Sequence, residues 1–485
     1  MIRKAIESYF SDATIDSANK CAQRLIQCLP DQKKIKNNRV LLAYGGGKDS
    51  SYMVAWVKYI HNIVLEEKGE TFRLRIVTNR HAGMNDKVME NIDNAYRALG
   101  LYDDESVECL IVDGLLVRYF ERYLLMPESV RIQNRTDVLM SGHRFQADAR
   151  STFCNACNLS MMNSFGMASQ WEGGVDVVIT GDSSKEQTAY FAWVRHLSRL
   201  FNRQAIDEGR GFSSFLKTLD GVAKGYFENI YGPGNVTSEH RIAHALVRDP
   251  IFFNIYQDAA YESGEHWSLL TEFLKFDFDE LMFSFSESDC GNPTLMAHIR
   301  GLRAETLLGR TYTEGVREYV NFAIGLMQQK EFPRHLVSEM SARYQNDSAI
   351  DRQRARAEKF ALDAYDLSSE QLICMIYSPF TECGKNLERY LADQKILLSA
   401  PAIHALLGGN INGCSMLKTK LETLSGLNLE QLRQCYGNCL VVSLLEPKSK
   451  DPLSRVLRYD PHKAIIQVKN DNAPDRRITE IISGR

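Results

Sequence analysis

The chain reads as an α/β protein, a doubly wound parallel sheet followed by a large, mostly helical C-terminal region. Three observations predict this. Apolar runs of strand length alternate with helical-period segments from residue 39 to about 200. The first strand runs straight into a glycine turn and a helix, Tyr44-Gly45-Gly46-Gly47-Lys48-Asp49-Ser50-Ser51. Beyond residue 200 the period is that of helices almost throughout.

At 485 residues the chain is too long for one ordinary core. The boundaries predicted are an N-terminal helical extension over 1–38, a sheet domain over 39–200, a helical region over 201–370 and an α+β region over 371–485. Apolar residues make up 44% and charged residues 25%, as in globular proteins. The formal net charge of −3 does not favour a nucleic-acid partner, which draws on a basic excess. No apolar run nears the ~18 residues of a membrane helix, so no membrane is expected. The N-terminus lacks the apolar core of a secretory leader. With 11 cysteines, an odd number, a reducing compartment is expected, taken as the cytoplasm.

In the extension, Ala5, Ile6, Tyr9, Phe10, Ala22, Leu25 and Ile26 recur at helical intervals, giving two short helices. Val40 to Ala43 is a short buried strand. The glycines at 45–47 let backbone N–H groups approach an anion with no Cβ in the way. The following helix adds free N–H donors and a positive dipole end. Lys48 offers a cation, and Ser50 and Ser51 offer hydroxyls. Phe72 to Thr78 alternates as the second strand, a helix ends at Gly100, and Val107 to Val112 is the third strand. Leu115 to Leu125 reads as another helix. The stretch 127–150 is polar and basic, with the length of a mobile lid. Then come Cys154-Asn-Ala-Cys157, a helix over 159–171, the strand Val175 to Gly181 and the loop Asp182-Ser-Ser-Lys-Glu186.

The loop at 45–51 has neither the Walker spacing nor the dinucleotide glycine fingerprint. It resembles the Ser-Gly-Gly-x-Asp-Ser signature of the PP-loop ATP pyrophosphatases, with Tyr44 where that family usually has Ser. The Cys-x-x-Cys, helix, strand and acidic loop resemble the second half of that fold in two subgroups, the N-acetyl sugar amidotransferase type and the tRNA 2-thiocytidine type. The loop after Gly181 looks closer to the first. The resemblance covers residues 39–200.

It implies an enzyme that cleaves ATP to AMP and pyrophosphate. Such an enzyme adenylates a carbonyl oxygen, and a nitrogen nucleophile then displaces AMP from a small-molecule substrate. Lys48, Asp49 and Ser50 would be catalytic. Gly45, Gly46, Gly47, Ser51, Thr78, Asn79 and Gly181 would join them around the nucleotide. For Thr78 and Asn79 the alternative is an ordinary loop role. Asp182 and Glu186 would touch Mg²⁺ or substrate, or else cap a helix. Two alternatives stay open: sulfur transfer to tRNA or a small molecule, and a nucleotide-binding module without turnover. An ammonia- or sulfur-donating protein would be the partner.

Cys154 and Cys157 can reach one metal, Zn²⁺ in the amidating reading; in the thiolating one the cysteines hold an iron–sulfur cluster or a persulfide. A redox dithiol and an inert pair are the alternatives. Further ligands would come from Cys290, Cys374, Cys383, Cys414, Cys435 or Cys439. The C-terminal half reads as helices over 212–230, 239–247, 267–274, 293–308, 313–329 and 349–364. Asp289 and Asn292 stand before a helix opened by Pro293, as substrate contacts or as a plain cap. Residues 456–459 and 464–468 read as a terminal hairpin.

Overall fold

The computed structural model describes residues 2–179, 184–201, 211–255, 266–278, 292–329, 332–409, 415–441, 451–459, 463–469 and 477–483. In chain order the first elements are α1 (Ile2–Glu7), α2 (Asp12–Cys28), β1 (Arg39–Ala43), α3 (Lys48–Lys68), β2 (Arg73–Asn79) and α4 (Asp86–Ala98). There follow β3 (Val107–Asp113), β4 (Leu116–Tyr119), α5 (Glu128–Phe145), α6 (Ala149–Gln170), β5 (Val177–Ile179), α7 (Ser184–Phe201), α8 (Phe212–Tyr231) and β6 (Ile251–Phe253). The rest is α9 (Pro293–Leu307), α10 (Tyr312–Gln329), α11 (Arg334–Ala342), α12 (Asp347–Tyr365), α13 (Ser369–Tyr377), α14 (Leu387–Asp393), α15 (Ala400–Leu407), α16 (Ser415–Ser425), α17 (Leu429–Gly437), α18 (Pro452–Tyr459), β7 (Lys463–Lys469) and β8 (Arg477–Ser483). No described helix is long and apolar enough to cross a membrane.

The chain forms two compact units, each assembled from separate segments. The first takes Met1–Pro127, Leu159–Ala223 and Glu239–Glu280. The second takes Glu128–Asn158, Lys224–Ser238 and Leu281–Arg485.

The first unit holds a six-stranded sheet in the order β4-β3-β2-β1-β5-β6. All neighbours are parallel except β3 and β4. Side chains alternate across a strand, so Leu41 faces one layer while Val40 and Leu42 face the other. On the Leu41 side, Val77, Leu110, Val112 and Val178 pack with Phe165, Ala168, Val194, Phe212 and Leu216 in one apolar core. α3 is buried along most of its length. The N-terminal helices account for that, because Phe10 packs its ring against Tyr52, Trp56 and Tyr59 of α3.

Three expectations fail here. Residues 115–125 are not a helix. Gly114, at φ 60°, turns the chain back so that β4 pairs antiparallel with β3. Residues 239–247 carry only the single 3-10 turn Ser238–His240. Asp220 holds the segment instead, accepting from Ile242 N at 2.9 Å and from Arg241 Nε at 2.7 Å. The three-residue β6 lies inside the region expected to be helical, and it is too short for any period to reveal it.

The second unit is helical apart from the β7–β8 hairpin. The polar stretch 127–150 is no lid. Most of it is α5, which is buried from Asp137 to Phe145. Its polar groups are paired: Asp137 accepts from Tyr231 and from Gln133, Arg135 donates to Gly426 O at 3.0 Å, and Arg144 meets Asp451 at 3.1 Å. The expected strand at 456–459 is part of α18, and the hairpin pairs residues 463–469 with 477–483.

Both units bury neutral histidines. Burial holds His61 and His143 down to about 4, and His298 to about 3. An unfolded histidine titrates near 6.5, so the unfolded chain binds more protons below that pH. This stabilisation is complete above pH ~6.5 and is lost as pH falls towards 4. Each group is expected to remove about 2 kcal/mol between pH 7 and pH 5. Denaturant unfolding at the two pH values checks this, and replacing His298 with Gln is expected to reduce the difference.

Candidate functional site

β1 ends where the winding of the sheet reverses. From β1 the chain moves to β2 and β3 on one side, and later returns to place β5 and β6 on the other. Ligands of open α/β sheets gather beyond the strand ends at such a point. The glycine turn between β1 and α3 lies there.

The turn is anchored at its first residue. Tyr44 N donates to Val77 O at 2.8 Å, and Thr78 Oγ1 donates to Tyr44 O at 2.8 Å. The Tyr44 ring is buried 5.7 Å from that of Tyr96, and its hydroxyl meets Ser51 Oγ at 2.9 Å. Burial pushes the Tyr44 phenol well up, so it stays protonated. Tyr44 therefore packs inward and holds the first turn of α3.

Gly46 has φ 79°, the left-handed region. A Cβ there would stand 2.6 Å from Val88 Cγ1 and 3.0 Å from Ile92 Cδ1 on α4. Gly47 is the N-cap, and Ser51 N to Gly47 O at 2.9 Å is the first bond of the helix ladder. The ladder therefore uses none of the N–H groups at 48–50. Ser50 Oγ donates to Gly47 O at 3.0 Å. Lys48 is buried and forms an ion pair with Asp49, which is 45% exposed. The turn thus joins donors, a dipole end and a buried cation, the requirements of an anion site.

Thr78 is fully buried and spent on the Tyr44 carbonyl. Asn79 is half-buried and accepts from Ser160 Oγ of α6 at 3.2 Å. Gly181, Asp182 and Asp289 lie outside the described residues, and so does the side chain of Glu186 on α7. Asn292 is the N-cap of α9, 1% exposed, accepting from Thr294 N at 2.9 Å.

Cys154 and Cys157 sit one turn apart within α6, which starts ten residues earlier than expected. Cys154 is buried and Cys157 half-buried. Among the described residues no group of three or more His, Cys, Asp or Glu is placed to hold a metal ion. Cys374 and Cys435 are buried, and burial pushes both thiols up to about 12. Cys290 and Cys414 lie outside the described residues.

Sequence reading missed Arg80, directly after β2. It forms a two-pronged pair with the fully buried Asp113, at 2.7 and 2.8 Å, and reaches Leu124 O. Arg118 joins the same carboxylate. This network ties the end of β2 to the β3–β4 hairpin, and no local spacing announces it.

Gly46→Ala is expected to cost about 2–5 kcal/mol, combining left-handed strain with overpacking against α4. Gly69→Ala supplies the control, since Gly69 has φ 74° but nothing within 4 Å of its Cβ position. Equal losses in denaturant unfolding would show that the approach of α4 carries no cost.

No family model matches this chain, and no curated protein or solved structure matches it.

Proposed function

We propose that the chain binds ATP on the β1–α3 turn and uses it to adenylate a carbonyl oxygen of a small molecule, releasing pyrophosphate, before a nitrogen nucleophile displaces AMP. One observation carries the reading. A glycine turn with a left-handed Gly46 opens a 21-residue helix where the winding of a parallel sheet reverses. Phosphate oxygens would take the N–H groups at the start of α3. Lys48 would offset the charge that develops on the departing pyrophosphate, and stabilisation of that kind is commonly the largest catalytic contribution. To do so it would exchange Asp49 for phosphate. Ser50 would rotate its hydroxyl from the Gly47 carbonyl to a phosphate oxygen. Mg²⁺, when bound with ATP, would share the phosphate charge, with Asp49 as the described carboxylate at the turn.

The amidating chemistry is preferred to thiolation because the loop from Gly181 to Glu186 resembles that of the N-acetyl sugar amidotransferase type and the formal net charge of −3 does not favour a tRNA substrate. Nucleotide binding without turnover is the second reading. The observation behind it is Tyr44, whose hydroxyl is committed to Ser51 rather than to the turn.

The test is release of AMP and pyrophosphate from ATP with ammonia and a panel of small carboxylates, amides and sugars. Lys48→Ala and Ser50→Ala are each expected to lower AMP formation at least ~100-fold with unchanged circular dichroism. Full turnover in either variant would remove the assignment. Tight ATP binding with no pyrophosphate from any substrate would favour the second reading.

A further inference from the structure

Nine cysteines are described, all unbridged, and only Cys383 and Cys439 are exposed. The fold brings these two to one place in the second unit. Cys383 is the middle of the 3-10 turn Glu382–Gly384, and Cys439 follows the C-cap of α17. Glu382 N donates to Asn438 O at 2.7 Å, and Leu440 N donates to Glu382 Oε2 at 3.3 Å. The two bonds bracket Cys439 and adjoin Cys383. Cys383 directly follows the donor of the 2.7 Å bond and Cys439 directly follows its acceptor. Standard backbone dimensions then put the two Cα atoms at most about 10 Å apart.

The turn itself is unusual. Glu382, Cys383 and Gly384 have φ of 52°, 53° and 78°, so two residues with side chains stand in the left-handed region. Their neighbours enforce it. His404 fills the space where Gly384 would carry a Cβ, with Cε1 2.6 Å from that point, and its Nδ1 meets Tyr436 OH at 2.9 Å. Cys383 lies close enough to Tyr436 to raise that phenol, after burial. Strain in a side-chain-bearing turn at the surface clusters at functional positions.

We propose that Cys383 and Cys439 form a peroxide-responsive thiol pair that closes to a disulfide. The Cys383 thiolate attacks hydrogen peroxide, the O–O bond breaks, and a sulfenic acid forms with release of water. The Cys439 thiolate then attacks that sulfur. The S–S bond forms, the S–O bond breaks, and the hydroxide leaves as a second water with the second thiol proton. Two thiols supply the two electrons that reduce one peroxide. A disulfide spans Cα atoms 4.4–6.8 Å apart, so closure draws the turn towards the end of α17. The buried thiols Cys374 and Cys435 stay out of the reaction.

The experiment treats the reduced full-length protein with hydrogen peroxide and blocks remaining thiols with N-ethylmaleimide. Fragment ions of unreduced peptides then locate any bridge. The expected result is one Cys383–Cys439 bridge, with Cys435 unbridged. In Cys439→Ser, Cys383 is expected to remain a sulfenic acid that dimedone traps. Both positions are exposed, so neither serine variant removes packing. Three results would overturn the proposal: both thiols alkylated as before oxidation, a bridge from Cys439 to Cys435, or zinc protecting both thiols from oxidation.

Discussion

The arrangement around the glycine turn depends on a missing carbon atom. With a Cβ at residue 46, the side chains of Val88 and Ile92 on α4 would have to give way. α3 carries much of the first unit, with Tyr52, Trp56 and Tyr59 meeting Phe10 on the outside. The same position therefore governs the close packing of α4 against the turn that opens α3. A glycine chosen for stability alone could stand elsewhere. Here close approach and left-handed backbone coincide at one residue.

Buried charge gives the sheet its second constraint. Arg75 is fully buried on β2 and donates to Glu108 at 2.6 Å, to Ala168 O at 2.9 Å and to Trp171 O at 2.6 Å. It thus fastens the C-terminal end of α6 to the sheet, where a cation suits the helix dipole. Arg80 and Asp113 do the same work at the opposite end of β2. A buried pair of this kind adds little over apolar packing, but breaking it leaves a charge without a partner.

The sheet was legible from residues 39 to 112 because burial on both faces leaves apolar runs that glycine and polar turns punctuate. It became illegible where pairing replaced pattern. β4 hid because the exposed Leu115, Leu116 and Tyr119 mimic a helix face, and only Gly114 marks the turn. α5 hid because its buried half carries Asp137, Ser141, His143 and Arg144, a polar composition that reads as surface. The candidate site divides in the same way. The turn from Gly45 to Ser51 follows from local chemistry and stands where expected. The inward packing of Tyr44 and the commitment of Thr78 depend on neighbours distant in sequence.

Asn292 and Cys383 show how local rules separate structure from chemistry. Asn292, Pro293 and Thr294 follow the side-chain capping pattern, with the asparagine accepting from Thr294 N and the proline at the first helical position. Nothing is left over for a ligand to explain. Cys383 breaks the rules: a side chain in left-handed backbone, a thiol at the surface, and a second exposed thiol across two hydrogen bonds. A fold that stabilises such a turn with His404, Tyr436 and Asn438 does so at a cost that a plain loop would avoid. Residues that violate local preference under enforcement from their neighbours are where chemistry is most economically sought. By that criterion the Cys383 turn ranks above every polar cluster whose groups are already paired.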